Sequence, residues 1–284
     1  MTINFIPEIS GEKMLFAITS DIHSNLQAWN VVLTDIRSFR VDKIIVLGDI
    51  IGYGPEPAAV LESVYANADY ITMGNHDAAL CGKIDISQFN DYAAKIITWT
   101  KVNLSESGIS FLSTLPLTLN AGSFLCTHGD FSEPSLFNYV IEPQDALASW
   151  EKTNCNLLFA GHTHKPAIFI LDKNGKASEL PLCDISLEKE NRYLITVGSV
   201  GSPRDKDIRA TYCLYDTSNK KIYWRKIPFD IDAYVKSLSK ASLPLEGSYF
   251  LKYDPRKLSI PIRNLLSFSP SSTPSQLLLS LIHI

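Results

Sequence analysis

Five of the six histidines in this chain lie in short motifs that also contain aspartate, asparagine or glycine. In chain order, these motifs are Asp21-Ile22-His23, Gly48-Asp49, Gly74-Asn75-His76-Asp77, His128-Gly129 and Gly161-His162-Thr163-His164. Carboxylate oxygen, amide oxygen and imidazole nitrogen, without thiolate, form a donor set that suits Mn²⁺, Fe, Zn²⁺ and similar ions with open coordination positions. The residue types therefore predict a divalent-metal site.

Each motif directly follows a predicted β-strand. Short apolar and β-branched runs predict strands over residues 15–19, 43–47, 70–73, 123–127 and 156–160. Helical spacing or start signals predict helices after Asn25, after Pro57, over 89–104 and after Pro143. Because ligands of α/β sheets bind at the carboxyl edge of the strands, we expect the five motifs to meet there.

The spacing within two motifs limits how they can be used. Asp21 and His23, like His162 and His164, are two residues apart, and an extended backbone would point such neighbours to opposite faces. Both members reach one site only if the backbone turns, or they serve two neighbouring ions. Asp49 is the natural candidate for a carboxylate that bridges two ions.

The last third of the chain has a different pattern. Strands predicted over 168–171, 193–197, 212–215 and 222–227 are joined by turns, as in antiparallel hairpins. A βαβ half followed by a β-rich half predicts two sheets packed together with helices outside.

Composition excludes several classes of protein. The chain has 284 residues, 45% of them hydrophobic, and a net charge of −4, which argues against a disordered chain and a general attraction to nucleic acid or anionic lipid. Its five cysteines are odd in number and form no CxxC motif, which disfavours a disulfide framework or a cysteine-ligated zinc. With no apolar leader and no membrane-length apolar run, we expect a cytoplasmic protein without membrane association.

Together the motifs resemble the signature of the calcineurin-like metallophosphoesterase superfamily, which is D-x-H, G-D, G-N-H-[D/E], H and G-H-x-H. The motifs span about Met14 to Lys165, and the β-rich stretch to about Ile227 fits the second sheet of that family. The resemblance implies an α/β fold in which a single domain forms a four-layer α/β/β/α sandwich with two mixed sheets. It also implies two divalent metal ions, with Mn²⁺ favoured and Fe, Zn²⁺, Ni²⁺ or Co²⁺ as alternatives.

The resemblance assigns the metal ligands position by position. It implies a first ion held by Asp21, His23, Asp49 and His164. Through the bridging carboxylate of Asp49, it implies a second ion completed by Asn75, His128 and His162.

The same resemblance places His76 opposite the scissile phosphate, as a general acid or transition-state stabiliser, with Asp77 as the residue that could orient it. Protein phosphatases of the superfamily carry G-D-x-x-D-R-G, but this chain has Gly52 and Tyr53 where they have the aspartate and the phosphate-gripping arginine. A phosphoprotein substrate is therefore disfavoured. Purple acid phosphatases have a metal-ligating tyrosine in the motif G-D-x-x-Y. Tyr53 lies one residue beyond that position, so we do not expect it to be a metal ligand. The overall pattern is similar to bacterial cytoplasmic phosphodiesterases, including enzymes that hydrolyse dinucleoside polyphosphates.

Three residues are candidates for binding substrate: Tyr53, Gly201 and Arg204. The last two belong to a glycine-rich loop, residues 198–205, which resembles a G-S-V-G-x-P-R loop of the bacterial branch. Its backbone N–H groups and the forked guanidinium could bind an anion. The alternative is a plain Gly/Pro turn with Arg204 paired to an acid.

These observations predict a two-metal phosphoesterase that cleaves phosphodiester, phosphomonoester or nucleotide pyrophosphate bonds, dinucleoside polyphosphates among them, by attack of a metal-bridging hydroxide. The expected partner is a small phosphoester or nucleotide. A non-catalytic scaffold on the same fold and a nuclease are the alternatives, although no basic stripe supports the nuclease.

The predicted domain covers residues 1–240, followed by an extension over 241–284 whose tail from about residue 267 is expected to be poorly ordered. An insert over 81–120 contains Phe89, Tyr92 and Trp99, which either face the core from a helix or cover the substrate.

Overall fold

The computed structural model describes residues 4–5, 13–245 and 248–254. The predicted tail from residue 267 lies outside these residues. The strands are β1 (Asn4–Phe5), β2 (Leu15–Thr19), β3 (Lys43–Val46), β4 (Tyr70–Ile71), β5 (Thr118–Asn120), β6 (Leu125–Thr127), β7 (Leu157–Ala160), β8 (Pro166–Leu171), β9 (Ala177–Leu180), β10 (Ile185–Ser186), β11 (Arg192–Val197), β12 (Ala210–Asp216) and β13 (Lys221–Ile227). The helices are α1 (Leu26–Ser38), α2 (Pro57–Asn67), α3 (Asn75–Leu80), α4 (Asp91–Val102), α5 (Glu106–Ser113), α6 (Pro143–Lys152) and α7 (Ile231–Lys240).

The strands form two sheets. One sheet has the order β10-β13-β12-β2-β3-β4, with β2, β3 and β4 parallel and the β10-β13-β12-β2 pairings antiparallel. The other has the order β1-β5-β6-β7-β11-β8-β9, in which β6, β7 and β11 are parallel and β8 and β9 are antiparallel. Both sheets are mixed, as predicted.

Side chains that alternate along the strands build the layers. In β2, Phe16 and Ile18 point into a core between the two sheets, while Ala17 points outward beneath helices α1, α2 and α7. In β7, Phe159 joins the core between the sheets, while Leu158 points outward to helix α6. The predicted α/β/β/α sandwich is therefore confirmed.

Local signals set the helix starts. Asn25 caps α1, since its side chain accepts a hydrogen bond from the Ala28 amide at 3.0 Å. Helices α2 and α6 start at Pro57 and Pro143 as predicted, because proline fits the first helical position. Helix α4 starts two residues later than predicted, because the Asn90 side chain accepts from the Ala93 amide at 2.9 Å and caps it there.

Beyond α7, residues 248–254 pack back onto the domain. Phe250 is buried and lies 5.7 Å, between ring centroids, from both Phe229 and Tyr234. The boundary at residue 240 stays a prediction. No helix in the described residues has the length and apolarity needed to cross a membrane.

Candidate metal centre

Seven residues from the sequence motifs converge at the carboxyl ends of strands from both sheets. We define the first group as Asp21, His23, Asp49 and His164, and the second group as Asp49, Asn75, His128 and His162. Within each group, one oxygen or nitrogen of each Asp and His lies within 4.8 Å of the others. Asp49 belongs to both groups, so a single carboxylate joins them.

The first group draws three residues from one sheet and one from the other. Asp21 and His23 follow β2, Asp49 follows β3, and His164 lies between β7 and β8. The Nε2 atom of His164 lies 3.2 Å from Asp21 Oδ1, and His23 Nε2 lies 3.5 Å from Asp49 Oδ2. The group therefore spans the interface between the two sheets.

The second group also spans both sheets. His128 follows β6 and His162 follows β7, while Asn75 is the first residue of α3, after β4. His128 Nε2 lies 3.4 Å from Asp49 Oδ2, 3.1 Å from Asn75 Oδ1 and 3.1 Å from His162 Nδ1.

Two carboxylate oxygens in these groups have no hydrogen-bond partner in the part of the chain that the structure describes. Asp21 Oδ1 and Asp49 Oδ2 are buried and lack a partner among the described residues, although their sister oxygens accept backbone amides. Burying such an oxygen without a partner is costly. The Nε2 atoms of His23 and His164 also face each other at 3.0 Å. A divalent cation fits this donor set, because it would satisfy both oxygens and both nitrogens.

The backbone turns sharply at the motifs. Five residues without the freedom of glycine have positive φ angles of 48° to 67°, namely Asp21, His23, Asp49, His162 and His164. Each such conformation costs roughly 1–3 kcal/mol and persists only where the surrounding structure enforces it. The turns bring Asp21 and His23 into the same group, although they are two residues apart. His162 and His164 have the same spacing but belong to different groups.

Hydrogen bonds fix the rings of three of the four imidazoles. Nδ1 of His23 donates to the Ile51 carbonyl at 3.1 Å, and Nδ1 of His164 donates to the Ser202 carbonyl at 2.6 Å. Nδ1 of His128 donates to the Leu47 carbonyl at 2.6 Å. Since a carbonyl only accepts, Nδ1 carries the proton and Nε2 of a neutral ring turns its lone pair to the cluster.

The buried charges also favour a cation. Burial raises the pKa of Asp49, but the imidazoles of His128 and His76 outweigh it and hold that pKa well below its usual range. Burial lowers the pKa of His128, but Asp49 outweighs it and raises that pKa to about 9. Burial dominates at His23 and His162 and lowers both pKa values well below normal. The Asp49 carboxylate is thus favoured in its ionised form, and its negative charge stabilises a positive charge placed next to it.

His76 lies beside the first group but outside it. Its ring is 4.9 Å from the ring of His23 and 4.6 Å from that of Tyr53, and burial lowers its pKa to about 4. Its Nδ1 is buried without a partner in the described residues. Gly52 has a φ of +100°, and a Cβ there would lie 2.5 Å from His76 Nδ1. A side chain at this position would therefore require the His76 ring to shift, and this chain has no aspartate there to pair with His76 as in the protein phosphatases.

The Asp77 carboxylate forms hydrogen bonds with main-chain amides close to His76. This carboxylate accepts the Gly74 amide at 3.0 Å and, more weakly, the Ile51 amide at 3.4 Å. Burial, followed by the charge of Asp49, raises the pKa of Asp77 to about 7. These contacts cap α3 and tie its first turn to the loop after β3. Asp77, named above as a residue that could orient His76, forms no hydrogen bond with that ring among the described residues.

The chain is similar to known proteins in both sequence and fold. The model of the calcineurin-like phosphoesterase superfamily domain matches residues 14–220. An uncharacterized protein from Methanocaldococcus jannaschii is 34% identical over 239 residues, covering 82% of this chain and 95% of that protein. This chain belongs to the calcineurin-like phosphoesterase superfamily. It is a metal-dependent phosphoester hydrolase, and its buried cluster of His and Asp belongs to a divalent-metal site.

Solved structures share the fold of this phosphoesterase. A metallophosphoesterase from Sphaerobacter thermophilus matches with a TM-score of 0.75 and 31% identity, covering 85% of this chain and 99% of that one. A hypothetical protein from Pyrococcus horikoshii matches with a TM-score of 0.67 and 18% identity, covering 84% and 97% of the two chains. The second match shows the fold alone.

A cavity of about 560 Å³ opens above the two groups of this phosphoesterase. Asp49, Asn75, His162 and His164 lie in its floor together with His76. Residues 83–93 form one wall, residues 135–139 form another, and Tyr53 and Arg204 complete it.

Arg204 and Tyr53 reach this cavity, but Gly201 does not. An Arg204 amino group lies 3.4 Å from the Tyr53 hydroxyl, and no acid in the described residues forms an ion pair with Arg204. The described residues therefore give no support to the alternative in which Arg204 pairs with an acid. The Gly201 amide is buried and donates to the Asp21 carbonyl at 2.9 Å. Gly201 thus holds the Asp21 turn in place, which corrects the prediction that its amide faces an anion.

The sequence pattern predicts only some of the aromatic residues that line the cavity. Phe89 was predicted within the stripe of a helix, but it precedes α4, lines the cavity and lies 5.2 Å from the His76 ring. Phe137 and Tyr139 were not singled out, although both line the cavity. Their only sequence signal is the run Leu136-Phe137-Asn138-Tyr139 in an irregular segment after the His128 motif.

Proposed function

We propose that this chain is a two-metal phosphoesterase that hydrolyses phosphodiester, phosphomonoester or nucleotide pyrophosphate bonds in a small-molecule substrate. The observation that carries the proposal is a pair of buried oxygens, Asp21 Oδ1 and Asp49 Oδ2, which have no hydrogen-bond partner in the described part of the chain and face imidazole Nε2 atoms next to the cavity. One ion would be held by each group, with Asp49 as the bridging ligand.

The ligand chemistry favours hydrolysis of phosphate esters. Two divalent ions bound at such a site would activate a water molecule near neutral pH and neutralise the charge on phosphate oxygens. The protein keeps His23, His128 and His164 in fixed orientations through their Nδ1–H bonds to main-chain carbonyls. Mixed oxygen and nitrogen donors accept several first-row divalent ions, and we propose Mn²⁺, with Fe, Zn²⁺, Ni²⁺ or Co²⁺ as alternatives.

His76 is the proposed catalytic residue next to the metal site. It lines the cavity beside the first group and is enclosed by Tyr53 and Phe89, so it can reach a phosphate bound on the floor. We assign it the role of general acid or transition-state stabiliser for the leaving oxygen. Asp77 acts on it only indirectly, by holding the first turn of α3.

Arg204 and Tyr53 are the proposed substrate-binding residues. The guanidinium of Arg204 lies above the Tyr53 ring, 5.9 Å from its centroid, and both side chains line the cavity. A guanidinium without an acidic partner is suited to bind phosphate oxygens by two parallel hydrogen bonds. Tyr53 supports the guanidinium from below.

The cavity walls favour a substrate with an organic group on each side of the phosphate or on one side of a pyrophosphate. Phe89 lies on the wall formed by the 81–120 insert, so this insert serves as the substrate cover in our proposal. Aromatic side chains and the nearby amides of Gln88 and Asn90 could accommodate a nucleoside. Dinucleoside polyphosphates are the most specific substrate class that we propose.

A substrate panel on protein with measured metal content tests the proposal. The panel contains bis-p-nitrophenyl phosphate, p-nitrophenyl phosphate and dinucleoside polyphosphates of increasing phosphate number, each with added Mn²⁺. We expect metal-dependent turnover of at least one of these compounds. Bound metal without turnover of any would favour a non-catalytic scaffold, and cleavage of single- or double-stranded DNA alone would favour a nuclease.

A further inference from the structure

His162 is held differently from the other three imidazoles of the metal centre. Those three each donate from Nδ1 to a main-chain carbonyl. His162 instead turns Nδ1 into the second group, 3.1 Å from His128 Nε2. In the part of the chain that the structure describes, no hydrogen bond reaches its other ring nitrogen.

The ring of Tyr139 contacts the His162 ring, which has no hydrogen bond to a main-chain carbonyl in the described residues. It stacks face to face on the His162 ring, with centroids 3.9 Å apart and an angle of 17° between the planes. This is the shortest distance between ring centroids among the described residues. The Tyr139 hydroxyl has no hydrogen-bond partner there, so the face of the ring makes the contact. A flat stack of this kind restricts the tilt of the imidazole and hence the direction of its lone pair.

The loop that carries Tyr139 is fastened to the loop that carries His128. A Cβ at Gly129 would lie 2.8 Å from Phe137 Cα, so the two backbones can approach only because this residue is glycine. The side-chain Nδ2 of Asn138 donates to Asp130 Oδ1 at 3.4 Å. The Phe137 ring lies 6.0 Å from the His128 ring. One segment thus places an aromatic ring beside each histidine of the second group.

We infer that Tyr139 is the positioning residue of His162 and that it sets the affinity of the second group for its divalent ion. The inference rests on the proposed two-ion site. The second group has one carboxylate, which it shares, so its affinity depends strongly on well-oriented neutral ligands. The first group contains no residue that stacks on Tyr139, and its affinity should not depend on this ring.

Metal titration of variants tests the inference directly. Mn²⁺ is added to wild type, Tyr139→Ala, Tyr139→Leu and Tyr139→Phe after metal removal, and free Mn²⁺ and the spin-coupled signal of a Mn²⁺ pair are followed by electron paramagnetic resonance. Loss of a residue that orients a ligand typically lowers metal affinity by about 10–100-fold. We expect that loss at one of two ions in the Ala and Leu variants, with the other ion unaffected. Tyr139→Phe should match wild type because it keeps the ring face.

The control is Ile141→Ala, which removes an apolar side chain that is 65% exposed two residues away, outside the cavity wall. It should bind both ions as wild type does. Unchanged affinities for two ions in both Tyr139→Ala and Tyr139→Leu would overturn the inference and leave the two-ion proposal intact. Equal loss in Tyr139→Phe would overturn it by assigning the effect to the hydroxyl. Wild type that binds fewer than two ions would instead overturn the proposed function, and the inference with it.

Discussion

The two groups of the metal centre differ in charge and in support. The first group contains two carboxylates, and both of its imidazoles donate to main-chain carbonyls. The second group has one carboxylate, shared through Asp49, and its His162 rests on a tyrosine ring that is 42% exposed. A cation is therefore expected to bind more tightly in the first group.

More main-chain hydrogen bonds join the loops that carry the first group than those that carry the second, among the described residues. The strand ladder between β2 and β3 continues past both strand ends, since the amides of Asp21 and His23 donate to the carbonyls of Gly48 and Asp49 at 3.1 and 3.0 Å. Between the loops that follow β6 and β7 in the second group, the described residues form one such main-chain hydrogen bond, from the Gly161 amide to the His128 carbonyl at 2.9 Å. One metal centre thus combines a half joined by several main-chain hydrogen bonds with a half that depends on side-chain packing.

Asp49→Asn should have the largest effect, because it weakens both groups at once. We expect metal content to fall sharply and turnover to drop at least about 10³-fold, as when several kcal/mol of transition-state stabilisation are lost. Elemental analysis and steady-state kinetics on the best substrate of the panel measure both. Full metal content with normal turnover in this variant would show that Asp49 is not a bridging metal ligand.

His76→Ala should separate catalysis from metal binding. Removal of a positioned acid or donor lowers the rate by about 10²–10⁴-fold, but His76 lies outside both groups, so both ions should stay bound. The readouts are kcat and the number of ions per chain. A variant that loses an ion would make His76 part of the metal site instead.

Arg204→Ala should have a smaller effect that falls on substrate binding. A lost hydrogen bond to a charged group is worth about 1.5–3 kcal/mol, or roughly 10–100-fold in kcat/KM. Arg209→Ala is the matched control, because Arg209 is paired with Asp207 at 2.6 Å on the surface and should leave kinetics unchanged. Equal losses in the two variants would point to a general charge effect.

The smallest difference concerns stability: added Mn²⁺ should raise the Tm of the metal-free protein in two steps, one for each group. A ligand at 100 times its Kd stabilises the folded state by about 2.7 kcal/mol, and each kcal/mol shifts Tm by about 2–4 °C in a chain of this size. Rising Mn²⁺ should therefore raise Tm first through the first group and then, at higher concentration, through the second. A single step in differential scanning fluorimetry would mean that the two groups do not differ as described.

Much of this site could be predicted from the sequence, because each motif follows a strand whose apolar run is evident. The strand pairing order could not, since it depends on contacts between residues far apart in the chain. Phe89 was assigned to a helix because its spacing fits, but the Asn90 cap excludes it from α4. Tyr139 has no periodic pattern around it, and only the fold of residues 129–139 places it on His162.

The most direct measurement is a crystal structure of the protein grown with Mn²⁺, with ions located by anomalous scattering. We expect two peaks, one among Asp21, His23, Asp49 and His164, and one among Asp49, Asn75, His128 and His162. The peak in the second group should be the one that weakens at lower Mn²⁺. Peaks outside these residues, or a single ion at saturating Mn²⁺, would contradict this expectation.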